Sequence, residues 1–592
     1  MPFPPTIKRV LSYAVWALLD AFILASAVTV IFASKTGSNI FVIQSAPEIN
    51  VQLLLGSAAV ITGVFFLLFF FRRRVFRWIT PLCITAFAVG VSLTSLYSVP
   101  AYFSLAMCGA AVTSALMIKD IFPDTEVKLL KGKWLYIFLA VLAAAATAQA
   151  ALTSIARHIC YSSSTFDLGI FAQMYEYMSY DLTLNTTLER NVLMSHFAVH
   201  FSPVYYLLLP FYLLFPSVEF LLAAQAAVCF SGIIPLLLLC RHWRYSESVT
   251  LGLGMVFLLF PAFTGGLSYD FHENAFLVPF LLWALYFLEK NSTAGIAVSS
   301  LLILCVKEDA GLYLIFMGLY ALFNKKVKRL NAVMLFGVGV SGFIAVTSLI
   351  DVIGEGIKVS RYSNFLTDGQ DSLTDVVINV IKNPAFFLNT LLSRDKLLFA
   401  LQMLVPLMFL PVRTRKLQDW LLIAPLILVN LATDYTYQSD IHYQYVFGSG
   451  VLLVFLCAKN LRYCKEKTRT VTAAAMAALI ILTGAMSGRY QYIERTRIYS
   501  DSISATNASL AQIPEDAVVF STTYFTPHLY RCKELYMYPP IYEIDEKIVP
   551  DYVVLDNRGV LKEYDELLEQ WTEQGYVVIR NEGYATVLAA EN

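Results

Sequence analysis

Apolar stretches of about twenty residues, each closed by a short polar or basic segment, recur along most of the chain. A stretch of that length crosses the ~30 Å hydrocarbon core as an α-helix, which satisfies its own backbone polar groups where water is absent. Windows near residues 10–33, 51–71, 76–98, 101–118 and 134–154 have this character. After a long polar loop, so do 218–240, 248–266, 274–288, 293–306, 310–324, 330–350, 396–411, 418–433, 444–460 and 471–487. The pattern predicts an α-helical polytopic membrane protein of about 15 transmembrane helices. Segment 203–215 (PVYYLLLPFYLLF) is shorter and contains Pro210, and its crossing would invert every later basic loop, so it is read as re-entrant or interfacial. Beyond Arg489 the period changes. Short β-rich runs at Val518–Phe520, Tyr552–Leu555, Tyr576–Ile579 and Ala585–Leu588, with helical patterns near 525–532 and 561–574, predict a small C-terminal α/β domain.

Of the 592 residues, 58% are hydrophobic and 15% charged, more apolar surface than a soluble core uses. Formal net charge is zero, so global attraction to nucleic acid has no support and no nucleic-acid partner is expected. The nine cysteines lie mostly in apolar segments without metal-ligand spacing and read as small hydrophobes, with Cys160 and Cys532 a candidate pair outside the membrane. The start, MPFPPTIKRV, leads into an apolar helix without a small-residue cleavage site and reads as a retained first span. Basic residues gather in alternate loops: Arg72–Arg74, Lys128–Lys133, Arg241 and Arg244, Lys325–Arg329, Arg413–Lys416 and Arg462–Arg469. The positive-inside rule makes that side cytoplasmic. A multi-pass protein of the cell membrane follows, N-terminus inside and C-terminal domain extracytoplasmic. Three units are expected: a four-helix segment 1–133, a core 134–487 with outer loops 155–217 and 351–395, and the domain 488–592.

Four polar constellations fall on the outer side, where carboxylates near the membrane are costly and usually functional. In Ser164–Gly169, Asp167 is suited to act as a base on a hydroxyl or to cap the helix that follows. His196 and His200, four apart, would share a helix face and could hold a metal, against the plainer reading of interfacial hydrogen bonding. Tyr269–Asn274 packs Asp270, His272 and Glu273 into one short loop. If extended, it sends Asp270 and His272 the same way, toward a sugar hydroxyl, a metal or a proton, or it is only a polar turn. Lys307–Glu308–Asp309 could neutralise and orient a phosphate, or form a self-paired triplet that caps a helix.

The order of these motifs, Phe166–Asp167–Leu168–Gly169–Ile170–Phe171, His200–Phe201–Ser202–Pro203, Asp270–Phe271–His272–Glu273 and Val306–Lys307–Glu308–Asp309, resembles the membrane family known as domain of unknown function twenty seventy-nine. That family is similar to the C-type (GT-C) glycosyltransferases. The resemblance continues through Asn383–Pro384, Leu404–Pro411, His442–Tyr443 and Ile513–Pro514, covering roughly 135–592. It implies a GT-C-like core and an inverting transfer of sugar from a polyprenyl-phosphate donor to an extracytoplasmic glycan, lipid or protein, with Asp167 as base. Lys307, Arg157 and Arg361 are the candidates to stabilise the departing phosphate, and Asp270, His272, Glu273, Glu308, Asp309, His200 and His442 to bind substrate. Asp167 is a lone acid rather than an Asp-Glu or Asp-x-Asp pair, so no metal ligand is assigned and a divalent cation is only a candidate cofactor. The alternative function is a transporter or lipid flippase using the same acids as a substrate path.

Overall fold

The computed structural model describes residues 5–35, 50–71, 132–354, 359–414, 416–464 and 491–591, with single positions at 79, 83, 86, 87, 469, 472, 473, 476, 480 and 489. Apart from those positions, windows 76–98, 101–118 and 471–487 lie outside the described residues, as does the basic loop Arg72–Arg74. Among the described residues, six stretches are long and apolar enough to cross a membrane: Val51–Phe69, Lys133–Ile159, Val218–His242, Glu247–Leu267, Arg329–Ile353 and Gln444–Leu461. Shorter apolar helices occupy Tyr13–Ser26, Thr293–Leu304 and Ala310–Phe323.

The count of about fifteen uniform spans is not met among the described residues, and prolines are one reason. A proline lacks the N–H of the helical ladder and clashes with the preceding turn. Window 248–266 keeps the length of a span but is kinked at Pro261 into two helices, Glu247–Leu258 and Pro261–Leu267. Window 396–411 is α-helical only to Leu404, then turns at Pro406 with Met408 and Phe409 in the left-handed region. Window 418–433 holds a 3₁₀ turn, Leu417–Leu422, and beyond Pro425 a π turn, Leu426–Leu431, but no α-helix. Segment 203–215 is a 3₁₀ turn, Pro203–Leu207, and a four-residue helix, Leu209–Tyr212, too short to cross. Val204, Tyr205, Leu209 and Tyr212 turn inward while Phe211, Leu213, Leu214 and Phe215 stay exposed, the distribution of a segment lying against lipid.

Loop 155–217 carries the helix Ile170–Asp181 and a two-residue ribbon in which β1 (Asn185–Thr186) pairs antiparallel with β2 (Met194–Ser195). Loop 351–395 carries helices Leu373–Lys382 and Pro384–Leu391. After helices Gln491–Ile498 and Ser500–Leu510, five strands follow: β3 (Val518–Ser521), β4 (Glu534–Met537), β5 (Tyr552–Asp556), β6 (Tyr576–Glu582) and β7 (Ala585–Ala590). They form one sheet in the order β4-β3-β5-β7-β6, with β3 parallel to β4 and β5 and the rest antiparallel. Helix Tyr564–Glu573 falls on the helical pattern read there, but 525–532 holds only the 3₁₀ turn Thr526–His528 around Pro527.

Alternation along the strands divides the sheet's two faces. Phe520, Val553, Leu555 and Leu588 pack with Trp571 of the covering helix. Val519, Leu535, Val554 and Val587 face the other way and share one core with Cys160, Tyr161, Ile170 and Leu188. The C-terminal sheet is thus packed on the loop that leaves helix Lys133–Ile159. Cys160 and Cys532 are free thiols, so the candidate disulfide is not formed.

Candidate active site

Helix Lys133–Ile159 ends with Tyr161 in the left-handed region, and the chain then makes a single π turn, Thr165–Gly169, before helix Ile170–Asp181. Isolated π turns put a side chain where regular helix would not and recur at functional sites. Asp167 occupies this one. The following helix has no side-chain cap, so capping is not the aspartate's role. The turn is stitched to the C-terminal domain: Thr165 N donates to Thr523 Oγ1 at 3.0 Å, and the Thr165 and Thr526 hydroxyls lie 2.8 Å apart. Gly169 permits this approach, since a Cβ there would lie 2.6 Å from Thr526 Oγ1.

Asp167 Oδ1 lies 2.9 Å from His272 Nε2, and Oδ2 accepts a hydrogen bond from the Tyr269 hydroxyl. Tyr269 is in turn covered by the Arg157 guanidinium, 4.9 Å from its ring centre. Burial alone would raise the Asp167 pKa; the charge and hydrogen bond of His272, the bond from Tyr269 and the field of Arg157 reverse this and hold it below the ordinary value. For His272, burial works downward, and Asp167 with Glu273 outweighs it, leaving the imidazole pKa raised. Both shifts favour the ion-paired form of Asp167 and His272. Asp270 does not point the same way as His272. It is buried in an ion pair with Arg157.

These opposite shifts set a pH window. The share of stability due to Asp167 is present above the ordinary carboxylate value, about 3.9, and lost as pH falls through the lower folded value. The share due to His272 is present below the ordinary imidazole value, about 6.5, and lost as pH rises through the higher folded value. Thermal unfolding in detergent is expected to show wild type exceeding His272→Gln by most between about pH 4 and about pH 6.5. A gap that grows above neutrality would contradict the ion pair.

A second network lies beside the first. Lys307 Nζ donates to Glu273 Oε1 at 2.7 Å, and the Tyr205 hydroxyl donates to Oε2 at 2.7 Å. Burial acts against both charges, but their mutual attraction prevails: Glu273 is held far below, and Lys307 above, its ordinary pKa. His200 Nδ1 lies 2.8 Å from Glu308 Oε1, and Asp309 is pushed up to about 6 by burial and by Glu308. The Arg361 guanidinium stacks on Tyr435 and Tyr445, 5.2 Å from each ring centre, with no carboxylate at ion-pair distance among the described residues.

A cavity of about 440 Å³ joins these groups. Of the residues singled out in the sequence, Asp167, His196, His200, His272, Lys307 and Arg361 reach its wall. Arg157, Asp270, Glu273, Glu308 and Asp309 stand behind it as partners of one another or of wall residues, and His442 pairs with Asp440 at 2.7 Å, away from the wall. The wall also contains Glu189 and Arg190, and tyrosines 269, 435, 437, 443, 445 and 542. Glu189 Oε2 lies 2.9 Å from His196 Nδ1. Burial raises its pKa, but His196, His200 and Arg190 bring it down to about 2. His196 and His200 thus turn to separate carboxylates, and no group of three or more His, Cys, Asp or Glu suited to a metal occurs among the described residues. The run Leu188–Asn191 between β1 and β2 carries the Glu189 cluster, with Asn191 in the left-handed region donating from Nδ2 to Tyr542 O at 2.8 Å.

A family model described as "Predicted membrane protein (DUF2079)" matches residues 157–583. No curated protein matches the sequence. Among solved structures, the crystal structure of ArnT from Cupriavidus metallidurans bound to undecaprenyl phosphate aligns with a TM-score of 0.48 and 12% sequence identity, covering 77% of this chain and 99% of that chain.

Proposed function

The chain belongs to the family Predicted membrane protein (DUF2079), and on that footing we propose that it is a membrane glycosyltransferase moving a sugar from a polyprenyl-phosphate donor to an extracytoplasmic acceptor. The observation that carries this reading is one cavity walled by the Asp167 carboxylate and by the Arg361 guanidinium, which has no carboxylate at ion-pair distance among the described residues. A base and an anion-stabilising group facing one space are what a displacement at an anomeric carbon needs.

In the proposed reaction an acceptor hydroxyl oxygen forms a bond to the anomeric carbon while the bond from that carbon to the phosphate oxygen breaks. The electron pair leaves with polyprenyl phosphate, and the hydroxyl proton passes to Asp167. A single displacement inverts the anomeric centre. The low pKa of Asp167 makes it a weak base toward a free alcohol, but the hydroxyl becomes strongly acidic as its oxygen bonds to carbon, and transfer is then downhill. Arg361 stabilises the leaving phosphate, its guanidinium presenting a fork of donors. Lys307 is already committed to Glu273 and acts through that pair, and Arg157 through Tyr269.

The purified protein, given a pool of labelled polyprenyl-phosphate sugars and extracted envelope glycans, is expected to label the glycans and release polyprenyl phosphate in equal amounts. Failure to consume any donor would overturn the proposal. The orientation is checked separately by fusing compartment-specific reporters at Lys328 and Asn592: a cytoplasmic signal is expected at the first and an extracytoplasmic one at the second. A cytoplasmic signal at Asn592 would put the cavity on the wrong side for such donors.

A further inference from the structure

A second cavity, of about 160 Å³, opens in the C-terminal domain and shares one wall residue, Phe166, with the first. It lies at the carboxyl ends of the parallel strands, lined by Thr522–Tyr524 after β3, Met537–Pro539 at β4, and Asp556 at the end of β5. In a sheet ordered β4-β3-β5 the chain steps from β3 to β4 on one side and then crosses to β5 on the other, and the crevice outside the strand ends where the strand order reverses is where open α/β sheets bind ligands.

The lining indicates which ligand. Phe166, Tyr524 and Tyr538 offer aromatic surface, and Thr522, Thr523 and the tyrosines offer hydroxyls. No net charge is available, because the Asp556 carboxylate is held by Arg558, with Nε donating at 3.0 Å to Oδ1 and 3.1 Å to Oδ2. An extended peptide would require an open strand edge, but β3 is paired on both sides and the outer edge of β4 is already taken, Leu535 N donating to Thr187 Oγ1 at 3.3 Å and Met537 N to Asn191 Oδ1 at 2.9 Å. A sugar ring, with an apolar C–H face and hydroxyls at its rim, matches aromatic surface bordered by uncharged polar groups. The volume is below the ~300–1,000 Å³ of drug-sized sites, which limits the occupant to about one ring. The backbone bond from Thr165 to Thr523 fixes this cavity against the turn that carries Asp167.

We infer that the C-terminal cavity is the acceptor subsite, holding one neutral sugar ring of the acceptor glycan beside Phe166 so that the adjoining hydroxyl is presented to Asp167. The inference rests on the glycosyltransferase reading. Tyr524→Ala removes one aromatic wall, and Val560→Trp adds bulk at an exposed wall residue, where misfolding is not expected. The probes are methyl glycosides of glucose, galactose, mannose and N-acetylglucosamine, offered to the full chain in detergent. At least one should give saturation-transfer NMR signals that both variants weaken, and serve as an acceptor whose KM rises about tenfold in each variant while kcat and the donor KM hold. Donor consumption with unchanged acceptor KM in both variants, or transfer to peptides alone, would overturn the acceptor subsite while leaving the transferase reading in place. If no donor is consumed, the transferase reading fails and the acceptor role with it, whatever the glycosides do. Glycoside signals equal in wild type and both variants would also overturn the subsite.

Discussion

Asp167→Asn should lower sugar transfer to between about a hundredth and a ten-thousandth of wild type while leaving the protein folded. Asparagine keeps the shape and can still accept the Tyr269 hydroxyl, but it has no charge to offer His272 and cannot take a proton from an acceptor. The aspartate makes no cap bond to the helix that follows, so loss of activity could not be traced to unravelling of Ile170–Asp181. The comparison requires equal melting temperatures in detergent and initial rates with one labelled donor. A stable variant retaining more than about a tenth of wild-type transfer would remove the base from the mechanism.

The largest expected effect on stability is at Glu273. Glu273→Ala leaves the buried Lys307 ammonium without its partner and the Tyr205 hydroxyl without its acceptor, in a site where both charges are shielded from water. Removing one member of a buried pair typically costs about 3–5 kcal/mol, because the remaining charge is stranded. Replacing both members avoids that cost, so Glu273→Ala combined with Lys307→Met should recover much of the loss. Denaturation of the two variants in matched detergent decides this. A single variant within about 1 kcal/mol of wild type would mean that water or another group already compensates Lys307.

Much of the wall was legible in the sequence because it comes from short motifs of charged residues in an otherwise apolar chain. Asp167, His200, His272 and Lys307 each stand out against their surroundings, and all reach the cavity. Their division into wall and support was not legible. Asp270 and His272 are two residues apart, yet one turns to Arg157 and the other to Asp167, a choice made by helix Lys133–Ile159 beneath them. Glu189 escaped notice in a run of ordinary loop residues, since only folding of the β1–β2 ribbon carries it to His196. The tyrosines from 435 to 445 are indistinguishable from interfacial aromatics until the 3₁₀ turns Thr436–Ser439 and Gln444–Val446 replace regular helix and aim them at the cavity. Hydropathy counts apolar residues without regard to the backbone, which is why window 396–411, whose α-helix stops before Pro406, looked like a continuous span.

The hydroxyl contact between Thr165 and Thr526 joins residues 361 positions apart. During synthesis, the turn that carries Asp167 emerges long before the threonines that fix it, and the sheet core shared by Tyr161, Ile170 and Val587 closes only when β7, the last of the five strands, has been made. Contacts of such long sequence separation form late, after the loop-closure entropy between them has been met. The turn that carries Asp167 is therefore fixed only once the C-terminal domain is in place: a chain truncated before Thr523 can form its apolar helices and still lack the contacts that hold that turn.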